Sequence, residues 1–263
     1  FGRVLFRAKT GTGKSGFNVA RNYYWSWYDQ YDAGYQNWIL FANPAGTGIP
    51  DLWFNLWIAG TGKTLPAISG YQPGQVPAGQ VMTASYPGVM GGPVRAISTT
   101  GAKAIVSQRV LLNGNSLEEV QAIDEAKLSS NSYWPWSDNT SSGVMDWILV
   151  MNQNTTPIYY EIKIAGQLKS YGNIAAAGNV APFFSGVWGG PVQVQAWTNS
   201  TKQAAAKVTA SQRVTIGNGT AFNGVPGIPF SDLSSNYYWS WYDHLSSGVS
   251  DWVIVVNHDA SQV

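Results

Sequence analysis

Asn22-Tyr23-Tyr24-Trp25-Ser26-Trp27-Tyr28-Asp29 decides how this chain is read, because it is written three times. It returns almost unchanged as Asn236-Tyr237-Tyr238-Trp239-Ser240-Trp241-Tyr242-Asp243, and more loosely as Asn131-Ser132-Tyr133-Trp134-Pro135-Trp136-Ser137-Asp138. Trp25 and Trp134 stand 109 residues apart, Trp134 and Trp239 105. Other landmarks keep step. Asn37-Trp38-Ile39-Leu40, Asp146-Trp147-Ile148-Leu149 and Asp251-Trp252-Val253-Ile254 follow the three copies. Met90-Gly91-Gly92-Pro93-Val94 matches Trp188-Gly189-Gly190-Pro191-Val192, and Ser107-Gln108-Arg109-Val110 matches Ser211-Gln212-Arg213-Val214. Chance does not align so many landmarks in one order. The chain is an array of a unit of about 105 residues, with two full copies and a partial third. That is the size of an immunoglobulin-like sandwich (roughly 100 residues), whereas solenoid repeats run to roughly 20–50. Each unit is therefore expected to bury its own core.

The periodicity within a unit is that of strands. In Tyr159-Tyr160-Glu161-Ile162-Lys163-Ile164, Glu161 and Lys163 face one way and Tyr160, Ile162 and Ile164 the other, the alternation of a half-buried strand. Val192-Gln193-Val194-Gln195-Ala196-Trp197 and Pro93-Val94-Arg95-Ala96-Ile97 alternate likewise. Trp147-Ile148-Leu149-Val150-Met151 is unbroken apolar sequence, as in a central strand. Residues 104–112 read as one long strand, and the polar Ser107-Gln108-Arg109 in its middle predicts a bend or a switch between sheets. Gly91-Gly92-Pro93, Pro73-Gly74, Gly178-Asn179 and Gly217-Asn218-Gly219 supply turns. Ser116-Leu117-Glu118-Glu119 has the form of a capping box. Its counterpart in the next copy contains Pro226 and Pro229, so at most one helical turn is expected, near 124–128 and 229–233. Trp25 and Trp27 are expected on one strand face, with Tyr24, Ser26 and Tyr28 on the other.

The expected fold is all-β: tandem Ig-like antiparallel β-sandwiches, about 105 residues per repeat. The boundaries read from the landmarks are an N-terminal strand at 1–12, repeat 1 at 13–112, repeat 2 at 113–217 and a partial repeat 3 at 218–263. Repeat 1 departs most, with insertions around 48–51 and 60–79.

Composition narrows the function. Of 263 residues 44% are hydrophobic and 14% aromatic, but only 11% are charged, against about 25% in an average soluble domain. So many aromatics and so little charge exclude a disordered chain. The absence of cysteine excludes a disulfide scaffold and a cysteine-ligated metal centre. With 15 Lys+Arg against 14 Asp+Glu and no basic run, a nucleic-acid partner is not expected. No stretch approaches the roughly 18 apolar residues of a helical membrane span, so membrane insertion is not expected. No signal peptide stands at the start, so any export signal is expected to have been removed or to lie outside the chain.

No catalytic, cofactor or metal residues are assigned. Ala8-Lys9-Thr10-Gly11-Thr12-Gly13-Lys14-Ser15 fits a relaxed phosphate-loop pattern, but an aromatic strand follows it where that chemistry needs a helix. His244 and His258, the two histidines, lack the carboxylates or ligands of a general-base or metal site. Asp29, Asp138 and Asp243 share one repeat position, and Asn37, Asp146 and Asp251 another; both read as turn acceptors or strand-end caps, with a weak calcium site needing several more oxygens. Trp25, Trp27, Trp134, Trp136, Trp239 and Trp241 offer either core packing and inter-subunit contact or a platform on which sugars stack. Asn139, Asn154, Asn199 and Asn218 each begin an Asn-x-Ser/Thr sequon and are candidate glycosylation sites.

The third copy stops after its Trp-Val-Ile-Val-Val strand, while Arg3-Val4-Leu5-Phe6 matches the end of the last strand that copy lacks. A half-sandwich exposes strand edges and core aromatics. Either the chain is a piece of a longer protein, or residues 3–6 of one subunit complete the half-sandwich of the next, a head-to-tail contact that makes filaments.

Taken together, Tyr-Tyr-Trp-Ser-Trp-Tyr-Asp, Asn/Asp-Trp-Ile-Leu-Val, Tyr-Tyr-Glu-Ile-Lys-Ile-Ala-Gly, Gly-Gly-Pro-Val and Ser-Gln-Arg-Val-Leu resemble tandem repeats of large exported surface proteins of bacteria and archaea. The resemblance covers essentially the whole chain and implies an extracellular β-sandwich array. The expectation is a non-enzymatic structural protein of a surface layer, sheath or filament, with other copies of itself as partner. The alternative is a carbohydrate-binding or adhesive module of a secreted enzyme or adhesin, with glycans as partner.

Overall fold

The computed structural model describes residues 22–44, 51–100, 104–237, 245 and 253–257. The chain is all-β, 52% strand and 3% helix, and its paired strands are antiparallel throughout the described residues. In the first unit the strands are β1 (Asn22–Trp25), β2 (Tyr35–Ala42), β3 (Leu52–Ile58), β4 (Thr61–Lys63), β5 (Val81–Ala84), β6 (Val94–Ser98), β7 (Ile105–Leu112) and β8 (Ser116–Gln121). The second unit repeats them as β9 (Asn131–Trp134), β10 (Met145–Met151), β11 (Ile158–Ile164), β12 (Gln167–Ile174), β13 (Asn179–Val180), β14 (Val192–Trp197), β15 (Thr209–Ile216) and β16 (Ala221–Pro226).

The topology repeats too. One sheet runs Ile123–Asp124, β1, β6, β3, β4 in the first unit and Ile228–Pro229, β9, β14, β11, β12 in the second. The other runs β8-β7-β2-β5 and β16-β15-β10-β13. These are called the aromatic sheet and the joint sheet. The larger sheets number four among the described residues, a four-bladed, propeller-like arrangement. One buried cluster takes Trp25, Phe54, Leu56 and Val94 from the first aromatic sheet and Ile39, Phe41, Met82 and Val106 from the first joint sheet. A second takes Trp134, Ile162, Ile164 and Val194 together with Ile148, Val150 and Ala210.

Several expectations are met by the strands. Residues 192–197 alternate as read, 158–164 do so except at Glu161, which is buried beneath Lys202, and β10 is the central strand that its apolar run predicts, flanked by β13 and β15. Single 3-10 turns lie at Glu125–Lys127, capped by Asp124, and at Phe230–Asp232. The capping-box reading is corrected. Ser116–Gln121 is a strand, because Asn113 (φ 52°) and Gly114 (φ 69°) make a tight turn that folds it back on β7. The cut drawn at 113 therefore passes through a hairpin; β8 and then Ile123–Asp124 pair with β7 and β1 of the first unit.

The bend expected in 104–112 is also corrected. β7 pairs with β2 without interruption from Ile105 to Leu112. Its polar middle survives inside the protein because Gln108 Nε2 donates to Trp27 O (2.8 Å) and Asn37 Oδ1 (2.6 Å). Gln212 does the same for Trp136 O and Asp146 Oδ2, both at 2.6 Å. The insertion in repeat 1 splits the long edge strand β12 of the second unit into the short β4 and the pair Gln75–Val76 against β3.

Candidate functional site at the joint between the units

The aromatic motif is not one regular strand. β1 ends at Trp25, the chain turns through Ser26 and Trp27, and Tyr28–Asp29 pairs with Met90–Gly91. The expected shared face of Trp25 and Trp27 is therefore corrected. Trp25 and Tyr28 enter the core, and Trp27 goes to the joint. The cause lies in the Gly-Gly-Pro landmark. A Cβ on Gly92 would sit 1.9 Å from Ser26 O, and one on Gly190 1.8 Å from Pro135 O, so only glycine lets the two segments pass. Pro135 stands where the ladder is already interrupted, which is why the second copy carries it.

As a stacking platform Trp25 and Trp134 are likewise corrected: they are 2% and 1% exposed. Each spends its indole N–H on the connecting strand, Trp25 on Val120 O and Trp134 on Val225 O, both at 3.0 Å. Trp136 packs edge-on against Trp188 with ring centroids 4.5 Å apart. Trp239, Trp241, Arg3, Val4, Leu5 and Phe6 lie outside the described residues. So do the phosphate-loop-like 8–15, His244, His258, Asp243 and Asp251.

What the landmarks build is a joint. The turns at one end of the first unit rest on the outer side of the second unit's joint sheet. Asn179 Nδ2 donates to Gly92 O (3.0 Å), Asn113 Nδ2 to Gly219 O (2.7 Å), and Phe222 N to Ser116 Oγ (2.9 Å). Arg213 pairs with the buried Asp29 at 3.4 Å and lies over the rings of Tyr35 (4.3 Å) and Phe222 (5.2 Å). Asp29 also accepts from the N–H groups of Tyr31 and Asp32, so its charge is paired and hydrogen-bonded as burial demands. Trp27, Leu149, Ser211 and Arg213 line a cavity of about 50 Å³ between the units. Outside it, Lys127 and Asp232 join the two helical turns at 2.9 Å.

Two carboxyls are held above their ordinary range. Glu118 Oε2 accepts from Gly224 N at 2.6 Å, and burial pushes the group up to about 7 against that hydrogen bond. Asp146 is raised to about 6 by burial, opposed by hydrogen bonds from the Asp138 N–H and the Gln212 amide. Asp29, Asp138 and Asn37 act as the turn and strand-end groups that their repeat positions suggest; Asp138 accepts from Thr140 and Ser141. Among the described residues no three His, Asp or Glu side chains converge as a metal site needs.

The sequons divide. Asn139 exchanges both amide hydrogen bonds with the backbone of Asp146, and Asn154 Nδ2 donates to Asn152 Oδ1 and Lys207 O. Asn199 is exposed, its Oδ1 accepting from the N–H and hydroxyl of Thr201, and Asn218 is exposed on a turn at φ 55°.

A surface that the sequence reading missed lies on the outer side of the second aromatic sheet. Tyr159 is flanked by Trp197 (6.3 Å) and Tyr171 (6.5 Å), and Lys202 reaches over Trp197 at 5.1 Å. Alternation in β11 and β14 was its signal, since Tyr159 and Trp197 fall opposite the core residues. No family model, curated protein or solved structure matches the chain. The fold and the joint define it as an all-β repeat protein whose units are locked end to face.

Proposed function

We propose that the chain is a non-enzymatic structural protein of the cell exterior, a stretch of a surface layer, sheath or filament. Its units are Ig-like β-sandwiches stacked in series. Each unit's two sheets share one buried cluster, and this supports sandwiches over independent propeller blades. The observation that carries the function is the joint. A flexible string of beads would leave its units independent, whereas here the Arg213–Asp29 pair, the Glu118–Gly224 bond and the Asn179–Gly92 bond hold one unit upon the next. Fixed relative orientation suits a load-bearing array.

Small-angle X-ray scattering of the monomer tests it. The profile should fit one rigid two-unit body, and Arg213→Gln with Glu118→Lys should broaden it into a hinged ensemble. A wild-type profile that already needs a free hinge overturns the reading. A second reading, glycan binding, is favoured by the Tyr159–Trp197–Tyr171 surface, where Tyr171 is 65% exposed. Glycan-array binding lost in Trp197→Ala would establish it.

A further inference from the structure

Among the described residues, the joint buries side chains whose counterparts in the other copy are more exposed, and these form two complementary surfaces. On the outer side of the second joint sheet, Leu149 is 2% exposed and the Arg213 side chain 15%. The same positions in the first unit are the half-buried Leu40 and Arg109, whose side chain is 42% exposed. Around them Val81, Ile105 and Leu117 are exposed, so an apolar sheet face with a central arginine looks outward. At the end of the first unit, Leu112 is 3% exposed and Asp29 1%. Their counterparts at the end of the second unit are Ile216, 50% exposed, and the half-buried Asp138.

We propose that the end of the second unit in one copy seats on the outer joint-sheet face of the first unit in a second copy, repeating the internal joint with Asp138 against Arg109. This rests on the array reading and names its contact surface. The match is residue by residue: Leu40 for Leu149, Ser107 for Ser211, Arg109 for Arg213 and Leu117 for Phe222 on the face; Trp136 for Trp27, Asp138 for Asp29, Gly190 for Gly92 and Asn218 for Asn113 on the end. Arg109 rests on Glu119 at 3.0 Å and exchanges that exposed pair for Asp138 on docking. Asn223 replaces Glu118, so the contact between copies keeps an acceptor that does not titrate. Each copy offers one face and one end of different shape, so the contact is heterologous and leaves a free face and a free end on every pair.

Sedimentation of the full chain over the micromolar range tests it. The wild type should associate progressively with concentration. Arg109→Gln and Asp138→Asn should each weaken association at least about tenfold, since each removes one partner of a charge pair covered on docking. Mixing the two variants leaves one intact face and one intact end. The mixture should therefore give one-to-one pairs at concentrations where either variant alone is monomeric. Asp138→Asn keeps the acceptor for Thr140 and Ser141, and unchanged melting of both variants excludes misfolding as the cause. A wild type monomeric to about 100 µM overturns the proposal. So does association that both variants leave unchanged, or association that is lost only when residues 1–12 are removed. None of those results touches the array reading, which fails separately if the monomer scatters as a free hinge.

Discussion

Replacing Glu118 by glutamine should make the protein more stable at neutral pH, although it removes a charge from a hydrogen-bonded position. The carboxyl sits at the joint, accepts from Gly224 N at 2.6 Å and is raised by burial from 4.5 to about 7. Between those two values the unfolded chain has released its proton while the folded chain still holds it. The unfolded state then binds fewer protons, so stability falls as pH rises through this window. A shift from 4.5 to 7 at 1.36 kcal/mol per pKa unit sets an upper bound of about 3 kcal/mol on that loss. The glutamine of Glu118→Gln would keep a carbonyl for the Gly224 N–H and carry no charge to desolvate. Near pH 4 the variant should match the wild type. At pH 8 it should be more stable by about 1–3 kcal/mol, a rise of very roughly 2–10 °C in melting temperature for a chain of this size. Asp146, raised to about 6, tilts both proteins in the same direction between 3.8 and 6, so the difference between them isolates Glu118. Thermal melts followed by tryptophan fluorescence from pH 4 to 8 would measure it. A variant less stable than wild type at pH 8, or a difference that does not change with pH, would refute the reasoning.

Other parts of the structure are tested more simply. Arg213→Gln leaves the buried Asp29 carboxylate without its cation and should cost about 3 kcal/mol in chemical denaturation, with part restored by adding Asp29→Asn. Trp25→Phe keeps the ring but deprives Val120 O of its donor, at about 1–3 kcal/mol, with faster hydrogen exchange in β8. Gly190→Ala drives a methyl to within 1.8 Å of Pro135 O and should destabilise by about 3 kcal/mol or more, whereas Gly186→Ala, in open space at φ 70°, should cost about 1. In a host that glycosylates exported proteins, mass spectrometry should find sugar at the exposed Asn199 but not at Asn139 or Asn154, whose side-chain amides are already bound.

What the sequence made legible was the content that depends on periodicity. Alternation in 159–164 and 192–197 gave strands and core faces, and Pro226 with Pro229 reduced a helix to a single turn. What it hid was content set by partners distant in sequence. Ser107-Gln108-Arg109 looked like a bend because nothing local satisfies Gln108; its acceptors, Trp27 O and Asn37 Oδ1, lie 81 and 71 residues away. Ser116–Glu119 looked like a helix start because a capping box is a local pattern, while the Asn113-Gly114 turn that overrides it acts through β7. The tryptophans looked available because alternation was carried past Trp25, where the close approach of Gly92 to Ser26 O breaks the strand.

The scarcity of charge fits the proposed array. A surface that meets other copies of itself gains little from exposed ion pairs and loses by desolvating them. The chain has 14 acidic residues, and its joint uses a few of them in specific ways. Asp29 is buried against Arg213, Lys127 ties down Asp232, and burial pushes Glu118 up to about 7. Elsewhere neutral hydrogen bonds do the joining: the amides of Asn113 and Asn179 donate to backbone carbonyls, and Ser116 Oγ accepts from Phe222 N. The landmarks that recur along the sequence are therefore of two kinds. Trp25, Ile39 and Val94 recur as Trp134, Ile148 and Val192 because every unit needs a core. Arg213, Asp29 and Asn113 have counterparts in Arg109, Asp138 and Asn218, and no unit needs these for its own core. Their repetition is what an array requires if every unit must both rest on a neighbour and carry one.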